Sequence, residues 1–159
     1  MAELYKKFLT FQAGGQDFAI AISEITEILS NSSGCVRVPE FPSYAKGIIH
    51  LRGNVVSIID LCKRFGKDTP LNEDCCVIVI RMDDSHKSLV GFAADRVNAV
   101  EDIMNDAINP SPSVIGCADY ISGITKKDGR IILILDPFLL VGENMRNAID
   151  KMYNEQQQL

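Results

Sequence analysis

Apolar positions in this chain alternate more often than they wind. "KFLTFQA" alternates and stops at Gly14-Gly15, a turn signal, and "DFAIAI" follows at hairpin distance. "SEITEIL" changes period: Ile22, Ile25, Ile28 and Leu29 fall at helical spacing and Ser23 stands where a cap would, which predicts a short helix. "CVRV" reads as a short strand ended by Pro39, and Pro39 and Pro42 keep "PEFPSYAKG" out of regular pairing. "GIIHL" and "NVVSIIDL" predict a hairpin joined at Arg52-Gly53-Asn54, where Gly53 permits a positive φ and Asn54 tolerates one. "CKRFGKDTPLNED" predicts a helical turn and a polar loop, and the nearly all-apolar "CCVIVIRM" a strand buried on both faces. "DDSHKS" is a turn, "LVGFAADRV" a strand, "NPSPS" a loop, and "YISGIT" and "RIILILD" a hairpin about Lys126–Gly129. From Gly142 the period becomes helical. Met145, Ile149 and Met152 share one face, predicting a C-terminal helix docked by that stripe or, alternatively, offered to a partner, with Gln156–Leu159 expected to fray.

The chain also repeats itself. Laid over each other, "GIIHLRGNVVSIID" and "GITKKDGRIILILD" match Gly47 with Gly123, Gly53 with Gly129 and Asp60 with Asp136, all 76 residues apart. Upstream, Phe18, Ile20, Ile25 and Ile28 fall on Val90, Phe92, Val97 and Val100 at an offset of 72. This implies an all-β chain of two similar units, each of about five short strands that curl into a small barrel because closure removes exposed edges. The units are expected at about 14–74 and 75–141, with strand 5–13 left over to pair with the second and tie the halves together; 142–159 is helix and tail. Units of this size are marginal alone, so a shared apolar seam is expected.

The totals then exclude whole classes of function. With 159 residues, 47% hydrophobic and 23% charged, the chain suits one globular domain or two small packed halves. A net charge of −5, without a basic patch interleaved with aromatics, argues against nucleic-acid binding. The longest apolar runs, "CCVIVI" and "IILIL", fall far short of the roughly 20 residues of a membrane span, and the N-terminus has no signal-peptide core. Cys35, Cys62, Cys75, Cys76 and Cys117 are expected as free thiols of a reducing cytosol, and His50 and His86 lack metal-ligand spacing. No phosphate loop or nucleophile elbow occurs, nothing poises a pair such as Cys62 with His50, and Asp60 and Asp136 read as strand-end carboxylates accepting from the following turn. No catalytic residue, metal or cofactor is expected, and a binding module is favoured over an enzyme. One residue stands out. Arg52 occupies the turn position that Asp128 holds in the second copy. It either makes a local ion pair, with Asp60 or Glu27, or directs its fork of donors at a partner.

Four stretches, "FLTFQAGGQDFAIAISEITEIL", "PSYAKGIIHLRGNVVSIIDLCKRFG", "VGFAADRVNAVEDI" and "YISGITKKDGRIILILDPFLLV", together resemble the CheW family of bacterial chemotaxis coupling proteins from Lys6 to Val141. The resemblance implies a single domain over 5–141 of two intertwined five-stranded SH3-like β-barrels, with short connecting helices and a C-terminal helix. It implies a non-catalytic cytoplasmic adaptor, monomeric when isolated and free of cofactors. Such an adaptor is recruited to the inner face of the membrane by receptor arrays, without inserting. The partners implied are the regulatory domain of the histidine kinase CheA and the cytoplasmic tip of methyl-accepting chemotaxis receptors, the tip lying in the groove between barrels. Carried over by position, Arg52, Ile25, Glu27 and Ile28 are expected to bind receptor, and Lys46 and Gly47 the kinase or another partner; Ile25 as core and Gly47 as a turn residue are the alternatives. His50 and Ser57 depart from the family's usual Asn and Pro. A paralogue serving a different chemosensory pathway, or a small-ligand-binding β-barrel protein, are the competing functions. A detached kinase fragment is not expected of a chain running from Met1 to its own terminal helix.

Overall fold

The structure, a computed structural model, describes residues 4–30, 34–71, 74–82, 89–110 and 118–157. Cys117, all of "DDSHKS" (with His86) and the last three residues of "NPSPS" therefore lie outside the described residues. The elements in order are β1 (Tyr5–Ala13), β2 (Gln16–Ala21), β3 (Ile25–Leu29), β4 (Ala45–Leu51), β5 (Asn54–Asp60), α1 (Leu61–Arg64), β6 (Cys76–Arg81), β7 (Leu89–Ala94), β8 (Arg96–Met104), β9 (Asn109–Pro110), β10 (Ile121–Lys127), β11 (Arg130–Leu135), α2 (Pro137–Val141) and α3 (Glu143–Gln157). They form a first sheet in the order β3-β6-β7-β5-β4 and a second in the order β8-β1-β2-β11-β10-β9. Among the described residues no helix is long and apolar enough to cross a membrane.

The sheets are not the two halves of the chain. β1 pairs with β8 of the second unit, as expected, but β2 sits in the second sheet and β6 and β7 in the first, so the division differs from the expected boundary near residue 74. The tight Gly14-Gly15 turn holds β2 against β1, which is paired on its other side with β8. The equivalent hairpin β6-β7 is paired on its other side with β3. β1 is thus the counterpart of β6 rather than a leftover strand. Each sheet takes this hairpin from one repeat and its remaining strands from the other. Parallel pairs, β5 with β7 and β2 with β11, stitch the repeats together.

The predicted helix over Ile22–Leu29 is instead a single 3-10 turn, Ile22–Glu24, followed by strand β3. Ser23 caps nothing there. Thr26 is bulged out of register against β6, so Ile25 and Ile28 face the same side at a spacing of three, which imitates a helix. The same bulge recurs at Asn98 of β8, a strand that the sequence pattern does not reveal beyond its first residues. "CVRV" contributes only one bridge, Val36 with Ile48.

Strand alternation sorts the core into three clusters. Ile49, Val56, Ile58, Val77 and Val79 fill the inner face of the first sheet. Phe8, Ala19, Ile103, Ile132 and Ile134 fill that of the second. The largest cluster is the seam, where Leu9, Phe11, Phe18 and Ile20 of one sheet meet Ile59, Ile78, Ile80 and Phe92 of the other. β6 serves both its clusters, with Cys76 to Ile80 buried in unbroken succession. Across the seam, the Arg64 guanidinium lies over the rings of Tyr44 and Tyr120, 5.0 and 4.8 Å from their centroids, and its Nε donates to the Leu140 carbonyl at 2.7 Å. The two tyrosines hold equivalent places in the repeats. Met145 and Ile149 of α3 are buried in the seam, Met152 is half-buried, and the Tyr153 hydroxyl donates to the Val55 carbonyl at 3.2 Å.

Gly47 is required by close approach. The backbone of Val36 crosses it, exchanging 2.8 Å hydrogen bonds with Ile48, and a Cβ on Gly47 would lie 2.2 Å from the Val36 carbonyl oxygen. Its φ of 138° is also one that L side chains rarely adopt. Gly53, at φ 81°, has open space around it. Gly47→Ala is therefore expected to destabilise by about 2–4 kcal/mol and Gly53→Ala by only about 1–2 kcal/mol. Denaturant unfolding of the two variants checks the order, and equal losses would refute the steric account.

Candidate functional site

The six residues singled out from the sequence separate into three places. Arg52 and Glu27 meet. Arg52 sits at the tip of the β4-β5 hairpin, and an Nη of its guanidinium forms an ion pair and hydrogen bond with a Glu27 carboxylate oxygen on β3. β3 and β4 are opposite edges of the first sheet, so this pair requires the sheet to curl until its edges approach. The second sheet repeats the device with Lys127 Nζ 3.6 Å from Glu101, joining β10 to β8. Glu27 is thus the partner that the sequence left open. Asp60 instead caps α1, accepting from the Lys63 N–H at 3.3 Å, as Asp136 caps α2.

The Arg52 backbone is unusual. Arg52 and Gly53 have φ of 49° and 81°, and Asp128 and Gly129 of 52° and 79°. Positive φ at both central residues makes each a type I′ turn, whose first position favours Asn, Asp or Gly. Asn54, which the sequence reading placed in the connection, begins β5. Asp128 obeys the turn preference and Arg52 does not. The Arg52 side chain is 70% exposed against 23% for Glu27, so the pair contributes only about 0.2–1 kcal/mol. Stability alone is a weak reason to hold arginine there.

Ile25 and Ile28 lie on the other face of β3. Their ladder partners Ile80 and Ile78 point into the seam, whereas Glu27 and Leu29 pair with Val79 and Val77, which point into the first sheet. Ile25 is half-buried against the seam, and Ile28 is 44% exposed. Ile25, but not Ile28, lines a cleft of about 610 Å³, together with Ser23, Glu24 and Thr26, Arg81 and Met82 at the end of β6, and Phe138 of α2. The cleft thus has one wall from each side of the seam. A second hollow of about 320 Å³ continues past Glu24 to Lys6, Ile108 and Asp136.

Lys46 and Gly47 are on the edge strand β4, away from the cleft lining. Lys46 is the bulged residue of that strand, as Ser122 is of β10. Its charge acts on the Cys35 thiol, lowering a pKa that burial raises more. Gly47 is buried and explained by Val36. Cys62 is buried, with its thiol pushed up by burial and by Asp95 and Asp60, the opposite of an activated nucleophile. Among the described residues no group of three or more His, Cys, Asp or Glu is placed to hold a metal ion.

Sequence reasoning missed Glu24, Met82 and Phe138, which only the meeting of the sheets brings together. Glu24 carries an electrostatic signature of its own. Its Oε2 is buried with no hydrogen-bond partner among the described residues. Burial first, and the Asp136 carboxylate second, push its pKa above the ordinary 4.5, with Lys6 opposing. The folded state therefore binds the proton more tightly than the unfolded one. This stabilisation is complete below about pH 4.5 and is lost as pH rises through the folded pKa. Glu24→Gln is expected to raise the melting temperature near pH 7, with the gain vanishing near pH 4. Thermal unfolding across that range checks it, and a variant less stable than the parent at pH 7 would refute the reading.

Comparison with known proteins agrees with this architecture. The CheW-like domain family matches residues 7–144. The chain is 35% identical over 131 residues to the chemotaxis protein CheW of Helicobacter pylori, covering 81% of this chain and 77% of that one. It is 29% identical over 138 residues to CheW of Thermotoga maritima, covering 86% and 89%. The crystal structure of the scaffolding protein TtCheW from Thermoanaerobacter tengcongensis superposes with a TM-score of 0.78 at 29% identity, covering 89% of this chain and 95% of that one. A two-sheet fold built from an internal repeat, with a family match across nearly its whole length, makes this chain a member of the CheW-like family.

Proposed function

We propose that the chain is the non-catalytic adaptor through which transmembrane chemoreceptors control the histidine kinase CheA. In this reading the helical tip of a methyl-accepting receptor lies in the cleft at the seam. Aliphatic and aromatic anchors on the tip meet Ile25, Met82 and Phe138, with Ile28 beside them, and Arg52 and Glu27 hold the sheet edge next to that surface. Lys46 and Gly47, on the opposite edge strand, belong to the kinase side, where the regulatory domain of CheA docks. The adaptor is a cytoplasmic monomer when isolated and joins the membrane only through the receptor array.

The observation that carries the reading is the cleft itself. It is open, has walls from both sides of the seam, and sets the apolar side chains of Ile25, Met82 and Phe138 among the polar Ser23, Glu24, Thr26 and Arg81. Helix-in-groove recognition uses such a surface. Arg52 supports it, because an exposed arginine in a disfavoured turn conformation gains little for the fold and much for a contact.

Calorimetric titration tests the proposal, first with the regulatory domain of CheA from the same organism, then with a receptor-tip fragment. Saturable binding near one to one, in the nanomolar to micromolar range, is expected for the kinase domain. Arg52→Ala is expected to fold cooperatively and to weaken receptor coupling by about 1–3 kcal/mol. Arg52→Asn suits the turn better and should show the same loss with no loss of stability. No heat and no co-migration at tens of micromolar, with both proteins folded, would refute the pairing with CheA and favour a different kinase or a small ligand in the cleft.

A further inference from the structure

The chain crosses from sheet to sheet at two equivalent places, and the two are not finished alike. At the second crossing, between β7 and β8, every polar side chain is tied. Asp95 accepts from the Gly14 N–H at 2.8 Å, and Arg96 Nε donates to the Gln12 side chain at 2.9 Å. Glu24 holds the place of Arg96 at the first crossing, between β2 and β3, 72 residues earlier. There one carboxylate oxygen is buried without a hydrogen-bond partner among the described residues, and the residue that carries it lines the cleft. Glu101 also has an unsatisfied oxygen, but its other oxygen meets Lys127 and it does not line this cleft.

The surroundings of Glu24 define what would satisfy it. Asp136 acts on it with like charge, and the Asp136 carboxylate is already committed to the Phe138 and Leu139 N–H groups at 3.0 and 3.3 Å. Lys6, on β1, is the cation that acts on Glu24, and more weakly than Asp136 does. Arg81 lines the cleft but does not bond the orphan oxygen. A helix with a wholly apolar face would cover this carboxylate and remove its remaining water, which is costly for an unpaired charge. A neutral amide would satisfy the hydrogen bond and leave the negative charge uncompensated. A lysine or arginine does both.

We infer that the helix occupying this cleft must place a lysine or arginine between its apolar anchors, and that Glu24 is the residue that selects it. This rests on the receptor-tip reading and deepens it. The cation enters above Ser23–Thr26, and the apolar anchors lie on Ile25, Met82 and Phe138. The orphan oxygen is a cost that the free protein carries and the complex removes.

The test uses the full chain, a receptor-tip fragment from the same organism and calorimetric titration. Glu24→Gln is expected to weaken tip binding about tenfold or more while making the chain more stable at neutral pH, a combination that a purely structural role would not produce. Glu24→Lys should abolish binding of the unaltered tip, and one Lys→Glu or Arg→Glu exchange on the tip should restore it. The salt dependence of binding should be shallower for Glu24→Gln than for the parent. Equal tip affinity and equal salt dependence in the parent and Glu24→Gln, both folded, would overturn charge selection and leave the receptor reading intact. Failure of the parent itself to bind the tip would overturn the receptor reading, and charge selection with it.

Discussion

Neither sheet of this protein can be completed from one repeat. The parallel contacts of β5 with β7 and of β2 with β11 join strands of different repeats, and those strands place Phe18, Ile20, Ile59 and Phe92 in the seam. A single repeat would leave that face in water and would keep only a marginal interior. Exchange of the hairpins is thus the constraint from which the rest follows. It fixes the sheets relative to each other and explains why Arg64 of one repeat is gripped by tyrosines of both. It also recruits α3, whose buried Met145 and Ile149 close the seam cluster.

Exchange also decides where an open cleft arises. A chain that passes between sheets must leave a ladder at the crossing, and backbone and side-chain polar groups there lose their strand partners. The protein closes one crossing with Asp95, Arg96 and Gln12. It leaves the other open beside Ile25, Met82 and Phe138. A cleft at this point does not disturb the two inner cores, which lie on the far faces of the same strands. Variation of the rim can therefore proceed without repacking.

The internal repeat was legible because its turns and strand ends recur at fixed offsets. The structure repeats Gly47 with Gly123, Asp60 with Asp136 and even the bulges Lys46 with Ser122 and Thr26 with Asn98. Sheet membership was not legible. Strands that face two clusters read as apolar whichever sheet they join, and the choice between β6 pairing with β3 or with β8 is a long-range one. The helix expected over Ile22–Leu29 failed for a local reason, since the bulge at Thr26 puts Ile25 and Ile28 on one face three residues apart. Of the site, Ile25 stands at the cleft and Arg52 finds Glu27. Glu24 was invisible because nothing in a turn sequence states that its carboxylate is buried without a partner.

A duplicated scaffold supplies its own control for separating fold from function. Where both copies agree, as in the caps Asp60 and Asp136 or the glycines of the two I′ turns, the residue is explained by geometry common to both. Where they differ and one copy follows local preference, the other must have a different reason. Asp128 suits its turn and Arg52 does not. Arg96 is satisfied and Glu24 is not. Both departures belong to the first copy and lie by β3: Glu24 directly precedes the strand, and Arg52 pairs with its Glu27. At these two positions the first copy tolerates a local cost that the equivalent positions of the second avoid, so the geometry common to both copies does not account for either residue.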